Sequence, residues 1–226
     1  LLPKSFQNSI EDDYLHLQEY AQIWDVGCQR QVEIKGKDAL KLIELMTPRS
    51  ISGLKPGKCL YIPLTDESGG IINDPILIKK STDHYYLSVA DSDVLLWARG
   101  LAIGLSLNVR IREPDIWPLA VQGPKAHKLM REVTSADTAS QKGFSIAQHA
   151  VAGVSDVWIA TTGYTGAGGV ELYVPVAQVA QVWESLLKSG EPYQIQPIGL
   201  AARDTLRLEI GYCLYGHELT ETTSPI

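Results

Sequence analysis

The stretch CLYIPLTDESGGIINDPILIKK, residues 59–80, decides how the rest of the chain is read. Two apolar runs, 60–64 and 71–78, flank the turn-forming cluster Asp66-Glu67-Ser68-Gly69-Gly70, a pattern that predicts a β-hairpin. A carboxylate interrupts its second arm. Asp74 stands before Pro75, where a core strand should carry an apolar or neutral side chain, and an ionised group buried there without partners is costly or shifts its pKa. Two accounts are open. Asn73-Asp74-Pro75 can be a bulge or kink at a sheet edge, because proline cannot donate to the ladder and aspartate favours turns. Alternatively, the kink aims Asp74 into a pocket, where it takes or holds a proton or faces a cation.

Working outward, the turn Ser81-Thr82-Asp83 leads to a third antiparallel strand at 85–89. On the N-terminal side, residues 38–46 predict a helix with Ala39, Leu42, Ile43 and Met46 on one face, ended by Thr47-Pro48. Before it come a strand pair, 23–26 and 31–34, in which Gln31-Val32-Glu33-Ile34 alternates as a half-exposed strand, and a helix over 9–22 opened by a Ser9/Asp12 capping box. On the C-terminal side, Asp91 caps a long helix with Val94, Leu95, Ala98, Leu101 and Ala102 as its buried stripe. Strands 108–112 and 117–121, a helix at 124–133, a polar linker or exposed loop at 134–142, a hairpin of 157–161 with 170–174, and helices over 176–188 and 199–211 follow. Strand pairs separated by single helices give an α+β fold of antiparallel sheets with packed helices, arranged as two ferredoxin-like units, and not a doubly wound parallel sheet. The expected units are residues 1–133, carrying the Asp74 hairpin, and 143–226. No solenoid repeat is evident.

Composition excludes several classes. The 226 residues are 45% hydrophobic and 20% charged, as in an ordinary globular protein. A net charge of −6 opposes nucleic acid and anionic membranes as partners, and no apolar run is long enough to span a bilayer. Three widely spaced cysteines, Cys28, Cys59 and Cys213, suggest neither a disulfide framework nor a metal site, and fit a cytoplasmic location. The absence of an initiator Met leads us to expect that the chain begins part-way into a longer one.

Other groups stand out. The loop Thr162-Gly163-Tyr164-Thr165-Gly166-Ala167-Gly168-Gly169 lacks the lysine of a phosphate-binding loop and opens a strand, so it is either a long hairpin loop or a place where backbone approaches a ligand. Tyr164 and Glu171 are the groups it would present, although Glu171 also fits the outward position of an alternating strand. The last helix, GLAARDTLRLEIGYCLYG, carries Arg203, Asp204, Arg207 and Glu209 but has so little polar circumference that some of these charges must lie against protein or ligand. The histidines show no ligand spacing.

Taken together and in order, YLHLQEYAQIWDVGCQRQVEIKGKDA, CLYIPLTDESGGIINDPILI, LAVQGPKA, TGYTGAGGVELYV and GLAARDTLRLEIGYCLYG resemble the folate-dependent aminomethyltransferase family, which includes the glycine cleavage T-protein and dimethylsulfoniopropionate demethylase. The first half, with IWDVGCQRQVEI and SVADSDVLLWARGLA, is more similar to the demethylase; the Gly-Tyr-Thr-Gly loop and the Ala-Arg-Asp helix are more similar to T-proteins.

The resemblance implies tetrahydrofolate as cofactor, Asp74 as the catalytic and folate-positioning carboxylate, and Tyr61, Tyr164, Glu171, Arg203 and Tyr212 as further folate-binding positions, with both units contributing to one folate-binding region. Where the family often has a tyrosine four residues after the aspartate, this chain has Ile78. Arg203 and Tyr212 are nine residues apart, on opposite faces of a continuous helix at about 100° per residue, so both reach one ligand only if the helix ends before Tyr212. The implied reaction is methyl transfer from a small donor such as dimethylsulfoniopropionate, a sulfonium that a carboxylate and the faces of Tyr61, Tyr164 or Trp24 would stabilise. The alternatives are aminomethyl transfer from a lipoyl-carrier protein and a non-catalytic folate-binding role. The family also implies a C-terminal barrel domain beyond the point where this chain stops, and no metal.

Overall fold

The computed structural model of the protein describes residues 4–6, 9–90 and 93–226. In chain order its elements are α1 (Ile10–Leu17), β1 (Gln22–Asp25), β2 (Arg30–Lys35), α2 (Ala39–Met46), β3 (Lys58–Tyr61), β4 (Leu64–Thr65), β5 (Ile71–Asn73), β6 (Ile76–Ser81), β7 (His84–Val89), α3 (Val94–Gly104) and β8 (Arg110–Arg112). There follow β9 (Ile116–Gln122), α4 (Ala126–Val133), β10 (Ile146–Val151), β11 (Val154–Ala160), β12 (Gly169–Pro175), α5 (Val179–Gly190), β13 (Gln196–Pro197) and α6 (Leu200–Glu209). This is the α+β architecture with antiparallel sheets that the strand and helix order implies. The expected capping residue Asp91 lies outside the described residues; α3 starts after Asp93, whose side chain makes no capping bond.

Two compact units form, and the chain visits each twice. The first comprises the chain up to Gly27 and Asp115–Tyr212; the second comprises Cys28–Pro114 and Cys213–Ile226. This differs from a division into residues 1–133 and 143–226. The reason is hydrogen bonding. β1 pairs with β9 and β13, so β1 and β2 are not the strand pair expected from their spacing. At the other end, the backbone N–H of Ile71 donates to Thr223 O at 3.0 Å, which ties the last residues to the second unit. Residues 134–142 are no free linker, since Thr134, Ala136 and Thr138 are buried and Thr138 bonds the His127 ring.

In the second unit the sheet order is β3-β6-β7-β2-β8, with β4-β5 as a separate ribbon. One face packs Val32, Ile34, Leu77, Tyr85 and Leu87 against Ala39, Leu42, Ile43 and Met46 of α2 and Val94, Ala98 and Ala102 of α3. Each fully buried Val, Leu, Ile or Met among them contributes roughly 1.5–3 kcal/mol. The other face is not half-exposed at β2. Glu33 is buried there because His84 and Arg112 both bond its carboxylate; burial alone would raise its pKa, but those two partners hold it below the usual value.

In the first unit the order is β10-β11-β12-β9-β1-β13. Remove β1 and the two sheets correspond strand for strand: β2-α2-β3-β6-β7-α3-β8 repeats as β9-α4-β10-β11-β12-α5-β13, each a ferredoxin-like unit with an added edge strand. Two glycines keep matching places in the repeat. Gly36 before α2 and Gly123 before α4 both take positive φ, +144° and +109°, and a Cβ would lie 2.4 Å from Asn108 O and 2.2 Å from Tyr20 O respectively. Both faces of the first unit's sheet are covered, one by α4 and α5 and the other by α1 and α6. β12 is consequently buried at every residue from Gly169 to Val174. β10 was not foreseen, because its sequence lacks the β-branched enrichment of a strand and its extended form comes from pairing with β11.

Candidate active site

The 59–80 segment folds into two offset pieces instead of one continuous hairpin. β3 pairs with β6 as far as Tyr61 opposite Ile76, while β4 and β5 pair from Leu64 opposite Asn73. Pro63 and Pro75 fall in the gap, and neither has an N–H for the ladder. The bond from Ile62 N–H to Pro75 O at 3.0 Å carries the chain across it. Asp74 sits at this break, half-buried, and the Tyr61 hydroxyl donates to its Oδ2 at 3.0 Å. The Arg49 guanidinium bonds Tyr61 O at 2.6 Å and so fixes the end of β3. Burial raises the Asp74 pKa to about 6, against a smaller lowering by the Tyr61 hydroxyl. A carboxylate with that pKa exchanges a proton close to neutrality, the property a general base or acid needs.

In the first unit, three of the expected residues come together. The Arg203 guanidinium lies 4.5 Å from the Tyr164 ring centroid, and Tyr164 and Tyr212 have centroids 5.8 Å apart with planes 30° from one another. The helical objection to Arg203 and Tyr212 is resolved by the end of α6 at Glu209: Gly211 takes φ +74° and Tyr212 N–H donates back to Arg207 O at 2.9 Å. Arg207, buried to 3% exposure, fixes this reversal through bonds to Tyr212 O at 3.2 Å and Asp204 Oδ1 at 2.8 Å. It is a buried helix charge that faces protein.

Glu171 is 6% exposed, so it is not an outward strand residue. It lies in register with Ala120, itself opposite Trp24, and the Thr162 hydroxyl donates to its Oε2. Thr162 and Arg49 had no signal of a role in the linear sequence, because each acts through a contact set by strand ends, whereas Arg207 was among the helix charges of which some were expected to lie against protein or ligand. Trp24 is a correction: it is wholly buried among Leu17, Val26, Ala120, Ile198, Ala202 and Leu206 and presents no face to a cation.

The model of the GCVT N-terminal domain family matches residues 2–226. The chain belongs to this family. It is 38% identical over 226 residues to dimethylsulfoniopropionate demethylase DmdA of Ruegeria pomeroyi, covering 100% of this chain and 61% of that protein. It is 39% identical over 206 residues to the aminomethyltransferase of Flavobacterium psychrophilum, covering 90% of this chain and 57% of that one. Among solved structures, the glycine cleavage system aminomethyltransferase T from Bartonella henselae superposes with a TM-score of 0.87 at 26% identity, over 100% of this chain and 60% of that one. The relatives are thus enzymes by name, and the GCVT chain spans about six-tenths of their length.

In this GCVT domain the position of the tyrosine expected after the aspartate is Ile78, fully buried on β6 and paired with Tyr86 and Cys59, so it offers no hydroxyl. Among the described residues, no group of three or more His, Cys, Asp or Glu side chains is placed to hold a metal ion, and no helix is long and apolar enough to cross a membrane.

Proposed function

We propose that this chain is the folate-binding and catalytic part of a tetrahydrofolate-dependent one-carbon transferase, acting by methyl transfer from a small donor such as dimethylsulfoniopropionate. The observation that carries the reading is Asp74, half-buried at a break between two strand pairs, bonded to Tyr61, with a pKa of about 6. Such a group is mostly ionised at pH 7 and still basic enough to take a proton. The residues present suit reduced folate. The Tyr164 and Tyr212 rings beside the Arg203 guanidinium match a flat, polar heterocycle, and the carboxylate of Glu171, held through one oxygen by Thr162, matches paired N–H donors. When bound, tetrahydrofolate would supply the nucleophilic nitrogen that accepts the carbon. Asp74 would hold or remove the proton that this nitrogen shares, and would stabilise a cationic donor; Tyr61 would keep the carboxylate oriented and its pKa from rising further.

The methyl-transfer preference rests on the segments IWDVGCQRQVEI and SVADSDVLLWARGLA. Aminomethyl transfer from a lipoyl-carrier protein is the second reading, favoured by the loop and helix of the first unit that carry Tyr164 and Arg203. A single-turnover assay with tetrahydrofolate separates them. Methyl-folate formed from dimethylsulfoniopropionate supports the first, methylene-folate with ammonia from an aminomethyl-loaded lipoyl carrier supports the second, and bound folate with neither product leaves a binding role without catalysis.

A further inference from the structure

Gln122, the last residue of β9, is 1% exposed. Its Nε2 donates to the carbonyls of Thr162 at 3.3 Å and Val170 at 3.1 Å, one at each end of the glycine-rich loop, and also lies 3.3 Å from Val121 O. Its Oε1 accepts from the Thr165 hydroxyl, in the middle of that loop, at 2.9 Å. One side chain therefore ties both ends and the centre of the loop together. Only an amide offers two donors and an acceptor at one planar end.

Gly163 and Gly169 make room for this contact. A Cβ on Gly163 would lie 2.1 Å from Gln122 Oε1, and one on Gly169 2.2 Å from Val121 O and 3.0 Å from Gln122 Nε2. At the tip, a Cβ on Gly166 would meet Ile210, just before Tyr212, at 2.8 Å. The four glycines at 163–169 would otherwise leave the loop with a large conformational entropy to lose on binding. Between the fixed points stands Tyr164, against Arg203 and Tyr212. Thr162, whose carbonyl Gln122 holds, gives its hydroxyl to Glu171.

We propose that Gln122 is a positioning residue: a buried latch that pre-forms the loop 162–169 so that Tyr164 and Glu171 stand ready for folate. The inference rests on the folate reading above, and it assigns Gly163 and Gly169 to packing against Gln122 instead of to direct approach of a ligand.

The test compares the full chain with Gln122→Met and Thr165→Val, the second being the gentler variant that carries the test if the first fails to fold. Two quantities are read: amide hydrogen exchange at 163–168 without ligand, and the Kd for 5-formyltetrahydrofolate, a stable reduced folate. Exchange in the loop should accelerate about tenfold or more in both variants, with strands of the second unit unchanged. Affinity should fall by about tenfold or more in Gln122→Met. In a Tyr164→Ala background the same change should cost several-fold less, because the residue it positions is gone. Wild-type exchange across the loop, or an equal affinity loss in both backgrounds, overturns the proposal. If the unmodified chain binds no folate, the folate reading fails, and exchange alone decides the latch: faster exchange in both variants supports it and unchanged exchange refutes it.

Discussion

Asp74→Asn should stabilise the protein while abolishing its chemistry. Burial lifts the Asp74 pKa from an ordinary 3.8 to about 6. A folded-state pKa above the unfolded one means that stability is full below the unfolded pKa and is lost as pH rises through the folded one. The shift of about two units corresponds to at most about 3 kcal/mol at pH 8, at 1.36 kcal/mol per unit, and partial solvent screening reduces this to about 1–2 kcal/mol. Asparagine carries no charge to desolvate and still offers Tyr61 an oxygen to bond. The variant should melt about 2–8 °C higher at pH 8, and about a third of that advantage should remain at pH 4.5. Thermal unfolding followed by circular dichroism at the two pH values measures it. Turnover should fall by about 100-fold or more, because the amide cannot take a proton. A variant that melts lower at pH 8, or whose advantage does not change with pH, refutes the assigned cause of the shift; near wild-type turnover with folate bound refutes the assigned role.

Four further outcomes follow from the same geometry. If Asp74 acts as a base, single-turnover rate should drop as pH falls through about 6, and Tyr61→Phe should move that limb upward, since the Tyr61 hydroxyl lowers the Asp74 pKa; a limb that stays put in the variant counts against the bond. Arg203→Met should weaken reduced-folate binding by about 3–10-fold in calorimetry, through loss of the cation over Tyr164, with little change in melting. Arg207→Met should cost about 1–3 kcal/mol of stability in urea titration and weaken folate binding as well, because the Tyr212 carbonyl loses its donor. Gly123→Ala should destabilise by about 2 kcal/mol or more in the same assay, its new methyl meeting Tyr20 O, whereas alanine at Gly100, which faces open space in α3, should be neutral or stabilising.

Much of the fold was legible because local rules wrote it. The capping box of Ser9 and Asp12, the stripe Ala39, Leu42, Ile43 and Met46, and the stop at Thr47-Pro48 each depend on residues within a turn or two of one another. The partition into units was not legible, since it depends on β1 pairing with β9 almost a hundred residues later, a contact with no local signature. The internal repeat stayed hidden for a related reason: β1 is inserted into one copy, and only Gly36 and Gly123 with the helices after them keep recognisable spacing.

The candidate site divides in the same way. By itself the sequence determined that Asp74 was out of place in its strand, and that Pro75 and a glycine-rich loop would interrupt regular pairing, because cost and backbone restriction are properties of the residue. Only the tertiary structure decided that Glu171 faces a covered sheet surface, that Trp24 is core, that Arg207 turns inward to bring Tyr212 back beside Tyr164, and that Gly163 and Gly169 accommodate Gln122. Those outcomes depend on which faces the second layer of helices covers and where α6 stops, and burial and partner geometry of that kind are set by elements far apart in the chain.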